Sequence, residues 1–269
     1  MSVMRLRRAY ERQRALAGGD WHARVSVGGS VVVEDDDERV IKGYSVQKLA
    51  VAVALLDKSD RGGLDLADRV RLGPGDVLGG SGLYHLQPVW GDELTVAGVL
   101  TALLLVSDNT AVRLCGRLVP PAEINEILAA KGFVHTRVEP VGPSRFFLGD
   151  TTARETHDLL ARLVTGALLA PASTSFLLGV LRGAAGYHDG VRHNMSSAER
   201  ARVATKHGAD RDDRGAARHE AGIVFTPGGH PGAVYALFAD GLSDEDDYGP
   251  THPAAAAHAR LGQIMLECC

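Results

Sequence analysis

Cysteine is scarce in this chain: three in 269 residues, one isolated at Cys115 and two adjacent at Cys268 and Cys269. That arrangement is neither a disulfide framework nor a zinc-binding pattern. None of the 11 histidines stands in H-E-x-x-H or beside paired cysteines, so no metal and no other cofactor is expected. The apolar run Leu49–Leu56 ends far short of the roughly 20 residues that a bilayer-crossing helix needs. A net charge of -4 provides no attraction for nucleic acid or an anionic membrane, and neither is expected as a partner. There is no fixed-period repeat and no low-complexity segment. G-x-S-x-G is absent, since Gly79-Gly80-Ser81-Gly82-Leu83 departs at its last position, which argues against an α/β-hydrolase. The opening MSVMRLRRAYERQRALAGGD is charged and amphipathic, without the apolar core or cleavage site of a secretory signal. As written the chain is expected in the cytoplasm, or in the periplasm or outside the cell if a leader has been removed. The acidic runs Glu34–Glu38 and Asp244–Asp247 read as solvated loops.

Lysine is scarcer than the charge suggests. Of 29 basic residues only Lys42, Lys48, Lys58, Lys131 and Lys206 are lysine. Arginine keeps its proton in a protein, whereas a buried lysine can lose it, so a lysine among apolar residues invites a chemical explanation. Lys48 is such a residue: in GYSVQKLAVAVALLD (43–57) it heads a run with no polar face, which marks a helix buried on all sides. Ser45 stands three residues earlier, on the same helical face.

The coarse pattern is α+β. Residues 3–16 read as an amphipathic helix. HARVSV and VVVED flank a glycine turn as a β-hairpin. From Ser45 to about residue 200 the pattern is mainly helical, as in 93–106, 122–132 and 153–164, the last with an N-cap from Asp150-Thr151-Thr152. Three β-rich segments follow, ARVATKHG, EAGIVFT and GAVYALFADG, and a final helix spans about 252–267. The economical arrangement pairs both chain ends into one antiparallel sheet flanked by the terminal helices, with an inserted all-α lobe. Residues 1–44 and 200–269 then form the sheet lobe and 45–199 the helical lobe, with the active site between them.

Three motifs carry chemistry. Ser45-Val46-Gln47-Lys48 sets a hydroxyl one turn from a lysine, which desolvation can turn into its base. By composition S-x-x-K arises by chance about once in a chain of this length. Ser107-Asp108-Asn109 follows the apolar run ending LLLV, and by itself it also suits a helix cap or turn. Lys206-His207-Gly208 lies at the end of a predicted strand and alone means little.

In this order the three motifs resemble the signature set of class A β-lactamases and penicillin-binding proteins, S-x-x-K, S-D-N and K-[TS]-G. The resemblance extends over nearly the whole chain, through GGSGLYHL (79–86), LGDTTARE (148–155) and EAGIVFTPGG (220–229). It implies the β-lactamase/transpeptidase fold and an acyl-enzyme on Ser45, with Lys48 as base or relay. Ser107 would pass a proton to the leaving nitrogen, Asn109 would hold Lys48, and Lys206 would attract a substrate carboxylate. Gly208 belongs to the third motif, and the backbone N–H groups of Ser45 and Ala209 would form the oxyanion hole. The implied partner is a small amide or ester, carboxylate-bearing, taken by a monomer.

The chain departs from the pattern at three places. His207 replaces a hydroxyl residue that helps bind the substrate carboxylate; as an imidazole it is expected to strengthen anion binding below about pH 6.5. Glu139 is the candidate for the deacylating glutamate, in a loop shorter than the family's, where Pro143 and Ser144 replace the expected amide. Ala221 occupies the place of a family arginine, and Arg218 is the residue that could reach in from a preceding loop. A D-alanyl peptidase, esterase or transacylase on the same scaffold, acting in an intracellular biosynthetic pathway, is a second reading, and a non-catalytic binding protein a third.

Overall fold

The computed structural model describes residues 2–86, 93–183 and 189–269. Helix α1 (Ser2–Ala17) turns Leu6, Tyr10 and Ala17 inward, and strands β1 (Asp20–Val27) and β2 (Ser30–Asp35) follow as a hairpin. Its turn is Gly28-Gly29 at φ 55° and 81°, the left-handed pair that a two-residue hairpin loop requires. After the short β3 (Ile41–Lys42) comes a 3-10 helix, Tyr44–Gln47, and then α2 (Lys48–Asp60), buried from Lys48 to Leu56.

The middle of the chain contains β4 (Arg69–Arg71), β5 (Glu93–Thr95), α3 (Val96–Leu105), α4 (Asn109–Leu118), α5 (Pro121–Ala130), β6 (Arg137–Pro140), β7 (Phe146–Thr151), α6 (Ala153–Val164), α7 (Pro171–Arg182) and α8 (Ser197–Arg200). Strands β8 (Val203–Asp212), β9 (Gly215–Phe225) and β10 (Pro231–Leu242) precede α9 (Pro253–Glu267). The main sheet runs β2-β1-β10-β9-β8, antiparallel throughout, so both chain ends share it as the pattern predicted.

Side chains alternate across that sheet. Ala221, Ile223, Ala236 and Phe238 join the core formed with α2 and the other middle helices, whereas Val224, Tyr235, Leu237 and Ala239 pack with α1 and α9. Strand β9 is therefore buried along its whole length. The helical block faces one side of the sheet and the terminal helices the other.

Several boundaries differ from the sequence reading. The predicted helix 93–106 begins only at Val96, because the Thr95 hydroxyl accepts the Gly98 N–H at 3.0 Å and residues 93–95 pair with β4. The helical block also carries two small ladders, β3-β7-β6 and β4-β5, too short to leave a period in the sequence. β8 and β9 extend through the polar ADRD and GAARH segments, because antiparallel pairing continues to the turn at residues 212–215. Ser45 sits in the 3-10 helix, and the α-helix proper starts at Lys48.

Candidate active site

Ser45 opens on a cleft of about 1090 Å³ that is also lined by Ser107, Asn109, Lys206, His207, Gly208, Ala209 and Glu139. The candidate catalytic, substrate and oxyanion residues named from the sequence, apart from the enclosed Lys48, thus line one cavity. Lys48 lies behind it, fully buried, and is tied to its neighbours by three contacts. Its Nζ donates to Ser107 O at 2.6 Å, Ser107 Oγ at 3.0 Å and Asn109 Oδ1 at 2.8 Å. Lys206 Nζ approaches the same Ser107 Oγ at 3.0 Å and donates to His207 O at 2.8 Å. One hydroxyl therefore bridges two buried lysine side chains.

Local geometry explains why these motifs take their forms. Ser107 is held at φ 55°, a left-handed conformation that costs a non-glycine residue of order 1 kcal/mol or more and persists only where its surroundings enforce it. Asp108 does so: fully buried, it caps α4 through Ala111 N–H at 2.9 Å and accepts Leu83 N–H at 2.6 Å and Tyr84 N–H at 2.9 Å. Gly82, at φ 104°, lies so close that a Cβ there would overlap Asp108. The glycine of the third motif has a similar reason. A Cβ on Gly208 would stand 2.9 Å from Val46 N and 3.1 Å from Ser45 N, so only glycine lets edge strand β8 approach the turn that carries Ser45. Ala209, the next residue, is exposed on the same cleft as Ser45.

Electrostatics follows from burial. Desolvation lowers Lys48 to about 7, against an opposing pull from Asp108 and Cys115. Lys206 is pushed well below its ordinary value by burial and then by the nearby Lys48 charge. Two ammonium groups around one hydroxyl resist being charged together, so near neutral pH this cluster has a proton to exchange.

Other assignments change. Glu139 sits on β6 opposite Phe147, half-exposed, with its carboxylate 3.5 Å from Lys42 Nζ. The fold seats it in the wall of the same cleft, paired there with Lys42. Its loop is a β6–β7 hairpin, in which Gly149 at φ 73° lets β7 pass against the Arg137 carbonyl. His207 Nε2 points inward, 3.2 Å from Glu220 Oε1 and 3.1 Å from Asp189 O, so the N–H expected to reach a substrate carboxylate is engaged within the protein. Arg218 lies within β9 and not in a loop. Its N–H groups meet carbonyl oxygens of Asp210, Ala217, Glu245 and Asp247, and its face lies 4.4 Å from the Tyr248 ring.

Sequence reasoning missed Glu220. It is fully buried and accepts Thr205 Oγ1 at 2.7 Å and Val191 N–H at 2.8 Å, while Thr205 receives Tyr235 OH at 2.9 Å. Burial pushes its carboxyl up, but His207, His258 and Thr205 together outweigh this and leave it at about 2. His258, 3.6 Å away, is driven down to about 4 by burial. A lone carboxylate heading the apolar run EAGIVF was the available signal. Among the described residues no group of three or more His, Cys, Asp or Glu could hold a metal ion, and no helix is long and apolar enough to cross a membrane.

No curated protein matches this sequence. Solved structures match its fold closely: a β-lactamase from Chitinophaga pinensis has a TM-score of 0.84 at 19% identity, covering 98% of each chain. A class A β-lactamase from Bacteroides cellulosilyticus has a TM-score of 0.81 at 18% identity, covering 100% of this chain and 98% of its own. An ancestral class A β-lactamase has a TM-score of 0.79 at 21% identity, with all of both chains covered. Residues 13–268 match the β-lactamase enzyme family, and with that span added to the shared fold the chain belongs to the β-lactamase enzyme family.

Proposed function

We propose that this protein is a serine hydrolase of class A β-lactamase type, opening a β-lactam or related amide or ester through an acyl-enzyme on Ser45. The observation that carries this reading is the bridging of Ser107 Oγ by Lys48 Nζ and Lys206 Nζ, each at 3.0 Å, beside the serine that opens on the cleft. A serine hydroxyl is a weak nucleophile until a base is placed beside it. Lys48, lowered to about 7, is neutral in part at physiological pH and takes the Ser45 proton as Oγ attacks the carbonyl carbon. The Ser45 and Ala209 N–H groups receive the developing oxyanion. The proton then moves from Lys48 Nζ to Ser107 Oγ, while Ser107 gives its own to the leaving nitrogen or oxygen. The bond to the leaving group breaks, the acyl group stays on Ser45, and water releases it as the acid.

The second reading, a peptidase, esterase or transacylase that holds its acyl-enzyme longer, is favoured by one observation: Glu139 pairs with Lys42 and not with the lysine–serine cluster. Intact-mass measurements with a penicillin and a chromogenic cephalosporin, beside Ser45→Ala and Glu139→Ala, separate the two. Turnover lost in both variants supports the β-lactamase. A persistent adduct on Ser45 without turnover supports the second reading, and no adduct on the wild type removes β-lactams as substrates.

A further inference from the structure

Glu220 is a fully buried carboxylate that takes no part in the acyl transfer itself, and it stands directly opposite His207 in the β8–β9 pairing. An ionised carboxylate is costly in such a place unless donors surround it, and perturbed groups of this kind gather at functional sites. Its partners come from four parts of the fold. Oε1 accepts Thr205 Oγ1 of β8 at 2.7 Å and Tyr235 OH of β10 at 3.2 Å. Oε2 accepts the Val191 N–H at 2.8 Å, and His258 Nδ1 of α9 lies 3.6 Å from it. The remaining partner is His207, whose Nε2 is 3.2 Å from Glu220 Oε1 and 3.1 Å from Asp189 O. A carboxylate and a carbonyl are both acceptors, so this ring nitrogen carries a proton.

The segment that this ring belongs to meets the reacting groups on both sides. β8 is an edge strand, paired with β9. Before His207, Lys206 Nζ donates to Ser107 Oγ at 3.0 Å and to the His207 carbonyl at 2.8 Å. After it, Gly208 packs against the turn that carries Ser45, and Ala209 lines the cleft. The ring fastens this segment to the stretch Asp189–Val191. Gly190 stands there at φ 65°, so close that a Cβ would overlap Glu220 Oε2 and lie 3.0 Å from His207 Nε2. Carboxylate, imidazole and loop therefore interlock behind the edge strand.

We infer that Glu220 is a positioning residue for acylation: through the His207 imidazole it holds Lys206–Ala209 in register with Ser107 and Ser45. The role rests on the acyl-enzyme reading above. It also makes His207 a strut of the protein, where sequence resemblance cast it as a ligand of the substrate carboxylate.

The test uses a penicillin, which bears a carboxylate, and p-nitrophenyl acetate, which does not. In each, the bond from Ser45 Oγ to the acyl carbon forms while the bond to the lactam nitrogen or to p-nitrophenolate breaks. His207→Gln keeps an N–H donor at the reach of Nε2, whereas His207→Thr installs the hydroxyl of the K-[TS]-G pattern and falls short of Glu220. Acylation by both probes should stay within about threefold of wild type in His207→Gln and fall about tenfold or more in His207→Thr, chiefly in the rate constant and not in apparent binding. Glu220→Gln turns one acceptor into a donor facing donors and should slow both probes likewise. The double variant with His207→Thr should be no slower than either single one, because the two residues act as a unit. The His207 variants decide the matter independently of how well Glu220→Gln folds. Slowing by His207→Thr confined to the penicillin overturns the inference, since the ring would then serve the substrate carboxylate. Wild-type rates in His207→Thr, equal loss in His207→Gln, or additive losses in the double variant overturn it too. If neither probe acylates Ser45 of the wild type, the acyl-enzyme reading falls and this role with it.

Discussion

Replacing Lys48 by methionine separates the energetic burden of this lysine from its chemistry. Burial lowers its proton affinity from 10.5 to about 7. At about 1.36 kcal/mol for each tenfold step, that is about 5 kcal/mol by which the fold disfavours the charged form. Between pH 7 and 10.5 the unfolded chain holds a proton here that the native chain does not, so native stability rises with pH across that window. Below pH 7 the full burden is present, and near 10.5 it is gone. Lys48→Met removes the titration while keeping most of the volume, although it leaves Ser107 O and Asn109 Oδ1 without their donor, at about 1–3 kcal/mol each. The constant offset between the two proteins thus mixes gains and losses, whereas its pH dependence isolates the lysine. Denaturant unfolding of both at pH 7.0, 8.0 and 9.0 should show the wild type gaining on the variant by about 1.4 kcal/mol per pH unit at the upper end. Acylation of Ser45 should vanish in the variant, and in the wild type it should rise with pH through about 7. Parallel stability profiles for the two proteins would refute the argument, because Lys48 would then titrate as an ordinary lysine.

Three further outcomes are expected. Glu220→Gln should lower stability above pH 4.5 and change it least near pH 2: a carboxyl lowered from 4.5 to about 2 contributes about 3 kcal/mol above pH 4.5 that is lost as pH falls toward 2, so the variant's unfolding profile should be flatter between those values. Gly208→Ala puts a methyl 2.9 Å from Val46 N and should reduce acylation by tenfold or more, about 1.4 kcal/mol or more of transition-state binding, with a smaller change in Tm; unchanged kcat/KM would contradict the close approach of β8 to Ser45. Gly82→Ala, at φ 104° against Asp108, should destabilise the fold by about 1–3 kcal/mol in denaturant unfolding, and a neutral result would mean that this loop does not brace Ser107.

The local features were legible in the sequence for a physical reason. Ser45 and Lys48 share one helical turn, Asp108 caps the helix it precedes, and β-branched alternation marks the strands at each end. Such signals act over a few residues and leave a pattern in the chain. Charge states and alliances do not. Lys48 and Ser107 lie 59 residues apart, and Lys206 and Ser107 lie 99 apart, so only the packed sheet and helices bring them to one hydroxyl and strip them of water. The same holds for His207, which reads as a donor for a substrate in the motif and becomes a partner of buried Glu220 in the fold. Glu139 reads as a base from its place in a loop, but antiparallel pairing of β6 with β7 sets it beside Lys42. Spacing along the chain marked which side chains this protein gathers around its cleft. Desolvation and long-range contact, which exist only once the core has closed, decided which of those side chains are charged and which are already taken.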